Sequence, residues 1–307
     1  MRRSNRREFL KASTGMLGLA YAGYPRPRAG TKPLLSFSTL GCPGWTYSAI
    51  LDFAQDHGYD GIEIRGILGQ LELPQCPEFI DKQHIVQSLQ MAKNKNLRFV
   101  DLGSSAELHH LDPVKRQANL DEAKRFIDLA AALECPFVRV FPNQLPKNEQ
   151  RQATVDAIIA NLAELGRYAN GGPVSVLMES HGDAVLTPEL RHIMESAAGP
   201  HTGMVWDVYN MWSVTKESPA DVYRQLKPYI RHTHIKDAKL VDGKERYVLL
   251  GRGESPIFEA IDLLVAGGYD GYYSFEWEKL WHPEIDAPEL ALADYPLAMK
   301  KHFQSKQ

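Results

Sequence analysis

The chain has 307 residues, room for one large domain or two small ones, and its 44% hydrophobic and 24% charged residues are the balance of a globular protein with a sizeable core. The formal net charge is -3, but residues 1–22 carry Arg2, Arg3, Arg6, Arg7 and Lys11 against Glu8, so the remainder stands at about -7. A mildly acidic body with no basic stripe and no interleaved aromatics argues against nucleic-acid binding.

In chain order, Asn5-Arg6-Arg7-Glu8-Phe9-Leu10-Lys11 comes first and resembles a twin-arginine export signal. The apolar stretch Ala12 to Ala22 follows, ending in the small-x-small form Ala20-Tyr21-Ala22. It is too short and glycine-rich for stable membrane insertion. The reading is a signal peptide over 1–22, a linker over 23–33, a mature chain from near Gly23, and a periplasmic or secreted destination. A basic frayed helix is the plainer alternative.

From residue 34 onward, short β-rich runs alternate with helical periodicity. The predicted strands are Leu34–Thr39, Gly61–Arg65, Leu97–Leu102, Pro136–Phe141, Val174–Glu179, Gly203–Val208, Ile230–Ile235 and Tyr272–Glu276. Helices are predicted over Thr46–His57, His84–Asn94, Val114–Leu133, Glu149–Asn170, Pro188–Ala198, Pro219–Lys227 and Ile257–Ala266. Pro113, Pro188 and Pro219 sit at helix starts, and Gly58 and Gly267-Gly268 just past helix ends. Eight strands in alternation with helices and no linker predict an α/β fold, a single-domain (β/α)8 TIM barrel over 34–307. A doubly wound sheet is disfavoured, because Gly41-Cys42-Pro43-Gly44 after the first strand does not match a dinucleotide-binding turn.

Cysteines number three, so they cannot all pair within one chain. Cys135 reads as core. Cys42 and Cys76 fall on predicted loops, and a bridge between them is left open.

In such a barrel, the C-terminal ends of the strands form the active-site mouth. The last four predicted strands close on ionisable groups: Glu179; Asp207; His232 and His234; Glu276 and Glu278. A lone carboxylate there is usually a helix cap or a surface ion pair, and a lone histidine usually core. Their joint placement is the informative feature. Three carboxylates and an imidazole converging in a partly dry cavity repel one another unless a cation joins them. An oxygen-rich site of this kind suits one divalent metal ion, Mn²⁺ first, then Mg²⁺, Co²⁺ or Fe²⁺, with Zn²⁺ a further option.

The segments Gly58-Tyr59-Asp60-Gly61-Ile62-Glu63, His232-Thr233-His234-Ile235-Lys236-Asp237, Gly251-Arg252-Gly253-Glu254, Gly268-Tyr269-Asp270-Gly271-Tyr272 and Phe275-Glu276-Trp277-Glu278 are similar to those of the sugar isomerase/epimerase superfamily with a xylose-isomerase-like barrel, over roughly residues 34–303. The resemblance implies a metal held by Glu179, Asp207, His234 and Glu276, with His234 and Glu276 taken over His232 and Glu278 by motif register. It also implies that Glu179 and Glu276 act as acid and base in proton transfer beside a carbonyl. His181, Lys236 and Arg252 are candidate contacts for sugar hydroxyls, Lys236 alternatively pairing with Asp237. Glu63 reads as buried pairing, and Trp45, Trp206, Trp212 and Trp277 as packing or as sugar-stacking faces. Many ketose 3-epimerases carry a histidine three residues after the sixth-strand aspartate; Asn210 stands there in this chain.

The expected activity is thus a metal-dependent sugar isomerase or epimerase acting on an unphosphorylated carbohydrate, since no cluster of basic residues offers a phosphate site. The alternatives are a dehydratase or lyase on a keto-sugar, keto-glycoside or inosose, a non-catalytic sugar-binding protein, and a multi-metal endonuclease. Homo-oligomer formation is left open.

Overall fold

A computed structural model describes residues 32–305 of the chain. The expected export signal over 1–22 and the expected cleavage position near Ala22 lie outside the described residues. Pro33–Gln307 forms one compact unit.

Eight parallel strands close into a barrel: β1 (Leu34–Ser38), β2 (Gly61–Ile64), β3 (Arg98–Glu107), β4 (Phe137–Phe141), β5 (Ser175–Glu179), β6 (Thr202–Asp207), β7 (Ile230–Ile235) and β10 (Tyr272–Phe275). β1 pairs with both β2 and β10, which removes every sheet edge. Around it run α1 (Tyr47–Asp56), α2 (Lys82–Asn94), α3 (Pro113–Ala132), α4 (Arg151–Ala169), α5 (Thr187–Ser196), α6 (Val208–Thr215), α7 (Pro219–Leu226), α8 (Ile257–Ala266) and α9 (Pro288–Gln304). The helices start where side chains take up orphan backbone N–H groups. Thr46, Asp81, Asp112 and Ser218 each cap the residue three positions on. No described helix is long and apolar enough to cross a membrane.

Several elements depart from the sequence reading, among them β3, which runs past the predicted Leu102 to Glu107. Strand β6 ends at Asp207, and Val208 already opens α6. Helix α9 follows β10 where the sequence reading places no helix. An antiparallel hairpin, β8 (Asp237–Val241) with β9 (Lys244–Val248), follows β7. Its turn, Asp242-Gly243, has positive φ at both residues, the geometry of a tight hairpin. That dipeptide was the signal available for it.

All three cysteines are free and buried. The Cys42 thiol donates to the Thr39 carbonyl and that of Cys76 to Gln70, so the two are not bridged. Burial, with nearby Glu78, pushes the Cys76 thiol up to about 12, which keeps it unreactive at neutral pH.

Candidate functional site

Register places the strand-end groups. Asp207 on β6 pairs with His234 on β7, and His234 with Ser274 on β10. Glu179 pairs with Val205, two residues before Asp207, and Glu276 stands two residues after Ser274. Steps of two keep the same face of each strand, so all four side chains point inward at staggered heights. Glu179, Asp207, His234 and Glu276 bring one donor atom each within 4.8 Å of one another, and all four are buried.

His234 is the hub. Its Nε2 donates to Glu63 Oε2 at 3.1 Å. Its Nδ1 has no hydrogen-bond partner, yet lies 3.3 Å from Glu179 Oε1, 3.4 Å from Glu276 Oε1 and 3.9 Å from Asp207 Oδ2. Burial opposes a charge on this ring, but Glu276, Glu63 and Glu179 outweigh it and hold His234 well above the usual range. A proton at Nδ1 thus occupies the place a cation would take. One imidazole nitrogen and three carboxylates around a single point fit a divalent ion with oxygen-preferring character.

His232 also donates to Glu63 Oε2 at 3.1 Å, and lies one strand step below the cluster. Glu278 lies outside the four as well, with an oxygen 2.5 Å from Lys236 Nζ. Asp207 does two jobs. Its Oδ1 caps α6 by accepting from Asn210 N at 2.8 Å, while Oδ2 faces the cluster. Burial pushes its carboxyl up to about 7, Glu276 and Glu179 adding to the rise and Lys236 opposing it. Glu179 goes the other way. Burial would raise it, but His234 and then Arg139 hold it well below the usual carboxylate range.

Lys236 does not pair with Asp237. Its buried ammonium lies 2.8 Å from Asp207 Oδ2 and 2.7 Å from Glu276 Oε2. Asp237 instead organises the Gly-Arg-Gly loop, accepting from Gly251 N, Gly253 N and Ser255 Oγ. A Cβ at Gly253 would stand 2.1 Å from Asp237 Oδ1, which explains glycine there. Arg252 projects from this loop with a 61% exposed side chain, paired with Asp294 of α9 at 2.9 Å. It is not among the clustered groups. Trp206 and Trp277 are buried in the core, and Trp45 and Trp212 pack partly buried against it.

Sequence reasoning missed Arg139 and Asn143, and noted Asn210 without giving it a contact. Arg139, 1% exposed on β4, brings Nε within 3.2 Å of Glu179 Oε2 and stacks its guanidinium 3.8 Å from the Phe141 ring centroid. Asn210 contacts Glu179 Oε1 at 3.5 Å from the position where the epimerase pattern has histidine. Asn143 accepts from His181 Nδ1 at 2.7 Å and so fixes that ring two residues beyond Glu179. Burial lowers the His181 ring, although Glu179 opposes this. The arginine sits mid-strand and Asn143 in a loop, where their type alone carries no signal.

The chain is 23% identical over 257 residues to the 3-dehydroshikimate dehydratase of Bacillus anthracis, covering 76% of this chain and 85% of that protein. Among solved structures, the D-psicose 3-epimerase of Clostridium cellulolyticum superposes with a TM-score of 0.70 at 16% identity, over 88% of this chain and 98% of the other. A xylose isomerase-like barrel protein from Mycobacterium smegmatis in complex with magnesium gives 0.68 at 18% identity, over 89% and 97%. A sequence model of the xylose isomerase-like TIM barrel matches residues 51–296, and the chain belongs to that family.

Proposed function

We propose that the protein is a divalent-metal-dependent enzyme that moves a proton at a carbon beside a carbonyl of a small carbohydrate, as an isomerase or epimerase. The observation that carries this reading is His234 Nδ1, free of hydrogen bonds and ringed by Glu179, Glu276 and Asp207 within 3.9 Å. A cation bound by these four side chains would polarise substrate oxygens and lower the cost of the enediolate.

The protein's own groups do the rest. Glu179 and Glu276 supply the acid–base pair, one taking the proton and the other returning it. Arg139 and Asn210 hold Glu179 in place; Lys236 holds Glu276. His181, its Nδ1 engaged by Asn143, has Nε2 left for a sugar hydroxyl. Mn²⁺ is the metal we favour, and a free or 3-keto sugar or polyol derivative the substrate. Residues 1–22 act as the export signal. N-terminal sequencing of the protein recovered from its host should begin near Gly23, and an intact signal on the mature protein would remove the extracytoplasmic assignment.

A second reading, dehydration of a keto-sugar or related hydroxyketone, is favoured by the likeness to a dehydratase and by Lys236. Proton abstraction is shared, and the buried ammonium beside Glu276 can protonate a departing hydroxyl. NMR of metal-loaded protein with free and 3-keto sugars in D₂O tests both. Deuterium entering beside the carbonyl with no loss of water supports isomerisation or epimerisation, and loss of water supports dehydration. No exchange with any keto-sugar would sink the proton-transfer reading, as would full turnover by a metal-loaded Glu276→Gln protein.

A further inference from the structure

A second convergence of imidazole and carboxylate lies at the end of β3. His110 Nε2 stands 2.9 Å from Glu107 Oε2, and His109 Nε2 3.9 Å from the same oxygen. The two rings lie side by side, centroids 4.1 Å apart. One donor atom from each of the three residues falls within 4.8 Å of the others. An ion pair between Glu107 and His110 accounts for only one ring. His109 is 9% exposed, and its Nδ1 is buried without a hydrogen-bond partner.

The segment is held from several sides. Glu107 Oε1 accepts from Asn143 Nδ2 at 2.5 Å, and Glu107 N donates to Asn119 Oδ1 at 2.7 Å. Leu108 N donates to the Phe141 carbonyl, and Leu108 O accepts from Asn161. The donors are therefore set before any ligand arrives, as metal sites require. The cluster opens on a cavity of about 480 Å³, lined also by Asp183, Lys115 and Gln144.

The geometry points to a second divalent-cation site, in which Glu107, His109 and His110 hold zinc facing this cavity. Two imidazoles and one carboxylate are a zinc donor set with a coordination position left open, whereas the barrel centre offers three carboxylates and one imidazole. The outer site communicates with the inner one. Glu107 holds Asn143 and Asn143 holds His181, so a cation on Glu107 bears on where His181 stands.

The site is proposed independently of the barrel-centre reading, and zinc stoichiometry separates them. Full-length protein is stripped with chelator, re-equilibrated with zinc, dialysed and analysed for metal, with circular dichroism as a folding control. Native protein should hold two zinc ions per chain, and His110→Ala or the near-isosteric Glu107→Gln should hold one. Two ions retained by both folded variants would overturn the proposal, as would a single native ion that survives both. A single native ion lost in both variants keeps the outer site and shows only that the barrel centre does not hold zinc, its reading then resting on the Mn²⁺-loaded protein. No bound zinc in the native protein overturns the outer site.

Discussion

Glu63 on β2 and His234 on β7 meet across the barrel interior, the imidazole Nε2 donating to Glu63 Oε2 at 3.1 Å. The same oxygen accepts from His232 and from Ser274 Oγ at 2.9 Å. Burial opposes ionisation of Glu63, but the two histidines hold its carboxyl well below the usual range. Glu63 is thus a fixed anion that sets the ring angle and tautomer of His234.

Replacing Glu63 by Ala should weaken divalent-metal binding at the barrel centre by roughly 10- to 100-fold, the scale of losing a ligand's orienting partner. Glu63→Gln, whose amide oxygen can still accept one N–H, should fall between. Metal titration of stripped protein reads this directly, and unchanged affinity in the Ala variant would show that Glu63 does not orient the ligand.

Lys236 Nζ lies on Asp207 Oδ2 and Glu276 Oε2, oxygens that a cation at the barrel centre would also take. A Lys236→Met protein should lose stability without metal, on the order of 3 kcal/mol, because carboxylates are left uncompensated. Added Mn²⁺ should then raise its melting temperature by more than it raises that of the native protein. Equal increments in both proteins would mean that lysine and cation do not share these oxygens.

Asp101 on β3 is fully buried, with neither carboxylate oxygen hydrogen-bonded. Burial first, then Glu63 and Glu179, push its carboxyl up to about 8, while Arg139 and His234 oppose the rise. The folded value exceeds the unfolded value of about 3.9, so the stabilisation is complete below that pH and is lost as pH rises to about 8. Each pH unit in that window costs up to about 1.4 kcal/mol. Denaturant unfolding of stripped Asp101→Asn protein should show a flatter pH dependence between 4 and 8 than native protein, and parallel profiles would remove Asp101 as the cause.

The Gly-Arg-Gly loop should separate its two charges. Asp237→Ala frees the N–H groups of Gly251 and Gly253 and should cost roughly 1–3 kcal/mol. Arg252→Ala removes an exposed pair with Asp294 and should change stability by less than about 1 kcal/mol. Chemical denaturation of both variants gives the comparison, and a larger loss from Arg252 would reverse this assignment.

By itself, the sequence determined the alternation of strands and helices, because the periods of 2 and 3.6 are local properties of the chain. It also placed Glu179, Asp207, His234 and Glu276 at strand ends. It passed over the hairpin from Asp237 to Val248 despite its Asp-Gly turn, and for Lys236 it offered a sugar hydroxyl or Asp237 as partner, not Asp207 and Glu276. Tertiary structure alone decided which groups meet. Closure and stagger of the barrel bring Glu63 to His234 across 171 positions, Arg139 to Glu179 across 40, and Lys236 to Asp207 and Glu276. Such contacts depend on the register between strands, and register is set by the whole closed sheet rather than by any one segment.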